Sequence, residues 1–160
     1  MKYIGIFLII LALFGLRGEY SSREKRRLAE CEGFLRLISH LRLKIGCYLL
    51  PMRELVSDLE CPALEKSGFL SLVLSGASLG EAFKKCENSF LIGKEEKRIL
   101  SSLFSSLGNG YFSDTVKLLD SSYLAFEELT AAQRVKTEKN IKLSALLFTL
   151  GSLGLLVLLI

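Results

Sequence analysis

The chain has 160 residues and a formal net charge of +4; half of the residues are apolar and only 24% are charged. This composition is too hydrophobic for an ordinary soluble domain, and the length leaves room for one modest core, which argues against a multidomain enzyme. Between residues 17 and 142, 20 cations and 17 anions are interleaved. Because proteins that bind a phosphate backbone carry a one-sided basic stripe, we predict no nucleic-acid partner.

The amino terminus, residues 1–17, is predicted to be a membrane anchor. Of the 14 residues from Tyr3 to Leu16, 12 are apolar, and Lys2 and Arg17 can extend the reach of this short segment by snorkelling. The apolar region of a cleaved signal peptide has a similar length, so cleavage is the alternative. The lack of an A-x-A-like site and the cations that follow favour an uncleaved anchor. These cations are Arg17, Arg23, Lys25, Arg26 and Arg27.

Residues 18–142 are predicted to form a helical bundle. From residue 17 to residue 142 the apolar share is 54 residues in 126, about 43%, as in soluble domains. A long helix is predicted between Glu19 and Leu50, beginning with an exposed polar neck at Arg23–Arg27. It carries a heptad-like apolar seam that suits helix packing. The seam residues are Cys31, Phe34, Ile38, Leu41, Ile45 and Tyr48.

Four shorter helices follow in the sequence. Proline at positions 51 and 62 fits the first turn of a helix, where no amide donor is needed. Ser78 and Glu81 match the capping box, in which each side chain binds the other residue's free backbone amide. The predicted helices are Met52–Glu60, Ala63–Ser75, Leu79–Asn88 and Lys94–Leu107.

A final helix is predicted from Asp114 to Ile160, because no proline or glycine interrupts the sequence before Gly151. Its first half keeps a packing seam, and its last part, residues 143–160, is long and apolar enough to span a bilayer. The fold prediction is therefore all-α, a bundle of about six helices with an amino-terminal and a carboxy-terminal transmembrane helix.

Cations beside the two apolar ends predict the topology. Five follow the first span, and Arg134, Lys136, Lys139 and Lys142 precede the second. Under the positive-inside rule, both borders predict a cytoplasmic central domain with the termini outside. We expect Lys2, Arg17 and the four cations of the second border to lie at the membrane interface. An exported domain with a cleaved first span is the competing topology.

Side chains suited to catalysis are few. His40 is the sole histidine, and its pairing with Cys31, Cys47 or Cys86 as a base and nucleophile is the catalytic alternative to an ordinary, partly exposed helix residue. No C-x-x-C pair occurs, so the four cysteines are expected to be thiols that fill the core, with disulfides as the alternative in an exported domain. We predict no catalytic residue, metal or cofactor.

Two polar segments at helix ends are candidate surfaces for a soluble partner, with ordinary solvated loops as the alternative. The first follows the helix predicted over Leu79–Asn88, and the second is the glycine turn before the last helix. Their residues are Gly93, Lys94, Glu95, Glu96 and Lys97, and Gly108, Asn109, Gly110 and Tyr111.

The order of these features resembles the stage III sporulation protein AB family of endospore-forming bacteria. The resemblance covers essentially the whole chain and includes RRLAECEGFLRLISHLRLKIGCYLLPMREL in the first helix, the central GEAFKK, ILSSLFSSLGNGYFSDTVKLL around the glycine turn, and the tail KTEKNIKLSALLFTLGSLGLLVLLI. These are helix and turn patterns rather than chemical motifs.

The resemblance implies a function as well as a fold. The family is similar to the F-type inner-membrane platform proteins of type II secretion and type IV pili. It therefore implies a non-enzymatic platform in the channel between mother cell and forespore, on the mother-cell side of the outer forespore membrane. The implied partners are a secretion-type ATPase, stage III sporulation protein AA, and other membrane components, and a homo-oligomer is compatible with this role. The alternative is a generic membrane-tethered helical adaptor or regulatory protein.

Overall fold

The structure, a computed structural model, describes residues 2–45, 52–107 and 112–157, with side chains left out for 2–14, 16, 45, 52, 112, 113 and 155–157. Within these ranges the chain forms seven α-helices and one 3-10 turn, Glu87–Ser89, and no strand, which confirms the all-α prediction. The helices are α1 Lys2–Ile45, α2 Met52–Ser57, α3 Pro62–Lys66, α4 Phe69–Leu74, α5 Leu79–Cys86, α6 Lys94–Ser106 and α7 Phe112–Val157.

The contacts divide the chain into two units, and α1 and α7 contribute residues to both. The central unit contains residues 26–132, and the terminal unit contains residues 1–25 and 133–160. The predicted boundaries at residues 17 and 142 describe membrane topology, which these contacts do not test.

Phenylalanine side chains from several elements form the centre of the central unit. The Phe34 ring on α1 lies 5.7 Å from the Phe69 ring, 5.8 Å from the Phe83 ring and 4.9 Å from the Phe90 ring, centroid to centroid and edge to face. Phe104 of α6 also packs on Phe83 at 5.6 Å. Edge-to-face pairs are a favourable aromatic geometry, so these rings stabilise the bundle beyond their burial alone.

The predicted seam of α1 is confirmed where its side chains are described. Cys31, Phe34, Ile38 and Leu41 are fully buried, as is Leu37, which widens the apolar face. The side chains of Ile45 and Tyr48 lie outside the described residues. The seam therefore places one face of α1 in the core of the central unit.

The segment Ala63–Ser75 was predicted to be one helix, and this prediction is wrong. It forms α3 and α4, which Gly68 separates at a φ of 78°. Glycine adopts this left-handed conformation without the steric penalty of a Cβ, so the chain can end one helix and start another there.

The other short helices begin where predicted, but α2 ends at Ser57 rather than Glu60 and α5 at Cys86 rather than Asn88. The Ser78 hydroxyl accepts a hydrogen bond from the Glu81 amide, and the Glu81 carboxylate accepts one from the Ser78 amide, which confirms the capping box of α5. Helix α6 ends one residue before the predicted Leu107. Helix α7 is continuous through Val157, with Leu119 and Phe126 of its predicted seam fully buried.

In the terminal unit α7 buries polar side chains, and one of them, Thr137, is hydrogen-bonded to Glu24 of α1. Gln133, Thr137 and Ser144 are each more than nine-tenths buried. The Gln133 amide donates to Thr137 Oγ1 at 3.0 Å, and Thr137 Oγ1 donates to Glu24 Oε2 at 3.5 Å. The leucines of the same part of α7 are more than half exposed: Leu143, Leu146, Leu147, Leu150 and Leu153.

Among the described residues, no helix has the length and apolar character needed to cross a membrane. The described side chains do not include residues 3–14 and 16 of the predicted first span or the last six residues of the predicted second span. The two spans therefore stay predictions.

Candidate functional site

The first predicted partner surface is the beginning of helix α6. Gly93 is the residue before the helix, in an extended conformation, and Lys94–Lys97 form its first turn rather than a loop. Lys94 and Glu95 are exposed, Lys97 is half-buried, and Glu96 is buried. The exposed side chains of this turn can meet a partner, whereas Glu96 points inward.

Glu96 forms an ion pair with Arg27 of α1, with 3.4 Å between Nη2 and Oε1. A Cβ at Gly93 would overlap Glu96 Oε2 and lie 2.8 Å from Arg27 Nη2, so a larger residue here would make the ends of these two side chains shift. The predicted exposed neck, Arg23–Arg27, is thus wrong at Arg27, whose side chain is only 25% exposed. Arg27 is half-buried because it pairs with Glu96, a residue 69 positions away in the sequence.

The connection before α6 is fastened by charged side chains. Buried Glu30 of α1 accepts a hydrogen bond from the Leu91 amide at 2.6 Å and one from Arg26 Nε at 3.1 Å. Arg26 Nη2 also donates to the Ser89 carbonyl at 3.3 Å, and Lys97 Nζ donates to the carbonyl of residue 87 at 2.7 Å. These bonds hold the start of α6 in one position.

Burial raises the pKa of the Glu30 carboxyl above its usual value. The hydrogen bonds from the Leu91 amide and from Arg26 act in the opposite direction, but desolvation is the larger effect. Glu30 therefore has a structural role, because its hydrogen bonds hold the connection before α6 against α1.

A basic groove runs along the exposed side of α6 and encloses about 500 Å³. A smaller groove of about 370 Å³ shares Arg98 and Ser102 with it and reaches Ser121, Ser122 and Ala125 of α7. We call the lining of the first groove the α6 face. It comprises Glu87, Lys94, Lys97, Arg98, Ser101, Ser102 and Ser105.

Three cations, one carboxylate and several hydroxyls make the α6 face complementary to an acidic, hydrogen-bonding surface. Of this face, the sequence predicted Lys94 and Lys97 but not Glu87, Arg98, Ser101, Ser102 or Ser105. The available signal was the polar residues spaced by three or four positions after Lys94, which share one side of a helix.

The second predicted partner surface, Gly108, Asn109, Gly110 and Tyr111, lies outside the described residues. Of the predicted interface cations, Lys2 has no described side chain and Arg17 is half-buried. The remaining four, Arg134, Lys136, Lys139 and Lys142, are all exposed on α7.

His40 and the described cysteines occupy structural positions. His40 Nε2 lies 2.9 Å from the Leu55 carbonyl oxygen and links α1 to α2. Cys31, Cys61 and Cys86 are free and buried, as the core-thiol interpretation predicts. Burial raises the pKa of the Cys31 thiol to about 12, so this sulfur is protonated and a poor nucleophile at neutral pH. Cys47 lies outside the described residues.

Among the described side chains, no group of three or more His, Cys, Asp or Glu is placed to hold a metal ion.

The sequence model of a protein family described as stage III sporulation protein AB matches residues 2–160. No curated protein and no solved structure matches the chain.

Proposed function

Because the chain belongs to the stage III sporulation protein AB family, we propose that it is a non-enzymatic membrane platform in the apparatus that links mother cell and forespore. In this role its central unit is cytoplasmic, on the mother-cell side of the outer forespore membrane, and its two ends are transmembrane anchors. The platform couples a secretion-type ATPase, stage III sporulation protein AA, to other membrane components.

The observation that carries the proposal is the continuity of α7. One helix supplies buried Leu119 and Phe126 to the core of the central unit, and its later turns carry leucines that are more than half exposed. A helix that packs in a bundle at one end and presents leucine outward at the other is suited to join a soluble domain to lipid.

The basic side chains of α7 support the cytoplasmic assignment. Arg134, Lys136, Lys139 and Lys142 are exposed just before the leucine-rich turns. Cations in this position favour the cytoplasmic side, and each contributes on the order of 1 kcal/mol of attraction to an anionic membrane surface.

We assign partner docking to the α6 face, and an acidic segment of the ATPase is the chemistry that this face fits. The test is to place a photo-crosslinking amino acid at Ser101 in sporulating cells, with the exposed position Glu65 of α3 as the matched control. We expect the ATPase to be captured from position 101 and not from position 65. Equal capture, or capture from position 65 alone, would refute docking on the α6 face.

Co-purification tests the ATPase coupling itself. Failure to recover the ATPase with the intact protein, even after chemical crosslinking of sporulating membranes, would leave the generic tether or adaptor as the function. This outcome is separate from the crosslinking result, which concerns one surface.

Reporter fusions test the topology. A reporter inserted within Gly108–Gly110 should be active only in the cytoplasm, and one after Ile160 only outside it. An extracytoplasmic reporter within the glycine turn would eliminate the platform and favour the exported domain.

A further inference from the structure

The terminal unit contains a groove of about 480 Å³ between α1 and α7. Its polar lining includes Glu19 and Arg23 of α1 and Asn140 of α7, and its apolar lining consists of Leu143, Leu147 and Phe148 of α7. Unlike the α6 face, this groove therefore combines a charged part with a continuous apolar wall.

The charged part presents both signs within one helical turn. Glu19 and Arg23 are four residues apart and share one side of α1. Among the described residues the four ion pairs join other side chains, so neither charge is paired within this unit.

The apolar wall is accessible. Leu143 and Leu147 are 52% and 61% exposed and follow each other by one turn. Tyr20 borders the groove and is 44% exposed; tyrosine is a residue that favours the boundary between lipid and water. A ligand that fills the groove must bring an extended apolar chain as well as a positive and a negative group.

We propose that this groove binds one zwitterionic aminophospholipid, such as phosphatidylethanolamine. The phosphate contacts Arg23, the primary ammonium donates hydrogen bonds to Glu19, and an acyl chain lies along Leu143, Leu147 and Phe148. The proposal rests on the membrane anchoring proposed above, because it requires these turns of α7 to meet lipid.

Other occupants fit the lining less well. An apolar helix of a second copy would cover Glu19 and Arg23 without supplying partners for their charges, which is costly. A soluble acidic peptide would satisfy Arg23 but leave the leucines in contact with water. Only an amphipathic ligand with both charges meets the whole lining.

The test measures lipid binding by the full-length protein in detergent micelles. After delipidation, native mass spectrometry follows the uptake of phosphatidylethanolamine, phosphatidylcholine or phosphatidylglycerol. Phosphatidylcholine has the same phosphate and acyl chains but no N–H donor, and phosphatidylglycerol has no ammonium. We expect phosphatidylethanolamine to bind most tightly.

Two substitutions separate the charged contacts. Arg23→Gln should weaken all three lipids by roughly tenfold or more, the loss expected for a charge-assisted bond to phosphate. Glu19→Gln should weaken phosphatidylethanolamine and remove its advantage over phosphatidylcholine. The control is Lys25→Gln, an exposed cation of α1 that does not line the groove, which should leave the order of the three lipids unchanged.

A matched leucine pair tests the apolar wall. Leu147→Ser should release lipid, whereas Leu146→Ser, at a similar exposure of 60% but outside the lining, should not. Circular dichroism checks that each variant keeps its helix content. Equal effects of Arg23→Gln and Lys25→Gln, or tightest binding of phosphatidylglycerol, would mean general attraction to anionic lipid and overturn the proposal.

A second copy in the groove is also detectable. Disulfide crosslinking between copies of the Leu147→Cys variant, with no lipid retained, would overturn the lipid site in favour of a dimer. Failure of the lipid site while reporter fusions still give two anchors would leave the platform function intact. Loss of membrane anchoring would instead remove the basis of both.

Discussion

The two units of the chain distribute apolar side chains in opposite ways. In the central unit phenylalanines and leucines fill the interior, with Phe34, Phe69 and Phe83 almost fully buried. In the terminal unit Gln133 and Thr137 are buried, whereas the leucines from Leu143 to Leu153 point outward. Many leucines of the central unit are thus buried, whereas the described leucines from Leu143 to Leu153 are exposed.

Whether an exposed leucine is favourable depends on the solvent that surrounds it. In water, the burial of apolar surface stabilises a fold by about 25 cal/mol per Å², which explains why many leucines of the central unit are buried. In lipid that driving force between helices is absent, and polar side chains join the helices instead. We therefore interpret the terminal unit as built for lipid and the central unit as built for water.

The strongest test of the water-adapted core is Phe34→Ala. The ring contacts four other phenylalanines, so its removal leaves a large cavity and should lower the free energy of unfolding by about 3–5 kcal/mol. Chemical denaturation of the full-length protein in detergent measures the change. Leu124→Ala, at an exposed position of α7, should change stability by only about 0.5 kcal/mol. Similar losses for both variants would contradict the assigned core.

A pair of equally exposed leucines tests the comparison between the units directly. Leu124 in the central unit and Leu150 in the terminal unit are both 65% exposed on α7. Leu150→Arg should disfavour membrane insertion by about 2.5–3.5 kcal/mol, because Leu150 lies near the middle of the predicted span. Leu124→Arg should leave insertion unchanged. A reporter after Ile160 measures the fraction of chains whose last span is inserted; equal fractions for the two variants would contradict the lipid interpretation of the terminal unit.

Close packing inside the central unit is tested at Gly33. A Cβ at this position would lie 2.7 Å from Cys61 Sγ and 3.3 Å from Leu64. Gly33→Ala should therefore destabilise by about 1–3 kcal/mol through overpacking. Cys61→Ala removes the nearest atom. Adding Gly33→Ala to the Cys61→Ala variant should therefore cost less stability than Gly33→Ala costs in the unaltered protein. Additive losses in thermal denaturation would mean that the clash does not cause the effect.

Much of the fold follows from local patterns in the sequence. The α1 seam, the Ser78–Glu81 capping box and the continuity of α7 each depend on residues within a few positions of one another. Such patterns are legible because helix periodicity and capping act over one or two turns. The break at Gly68 carried a local signal as well, since glycine commonly marks a helix end.

The parts that sequence analysis missed depend on distant contacts. Glu30 and Glu96 were assigned no interior role, yet Glu30 binds the Leu91 amide 61 positions away and Glu96 pairs with Arg27. Nothing in the local pattern distinguishes a carboxylate that will be buried against a remote segment from one that stays in water. The α6 face is different: only its Lys94 and Lys97 were predicted, although the spacing of Arg98, Ser101, Ser102 and Ser105 on α6 was a local signal.

The smallest expected effect concerns how strongly the central unit excludes water around Glu30. Because burial raises its pKa above the usual 4.5, the folded protein keeps this proton to a higher pH than the unfolded chain does. Raising the pH through the interval between the two pKa values should therefore lower the free energy of unfolding, and Glu30→Gln should remove this dependence.

Asp58 provides the opposite sign, since a hydrogen bond from Lys44 lowers its pKa and its contribution disappears as the pH falls through that lowered value. Urea unfolding across the acidic range, with Asp58→Asn as the control, distinguishes the two slopes. If Glu30→Gln instead removes a rise of the free energy of unfolding with pH, the hydrogen bonds to Glu30 outweigh its burial and its pKa is lowered.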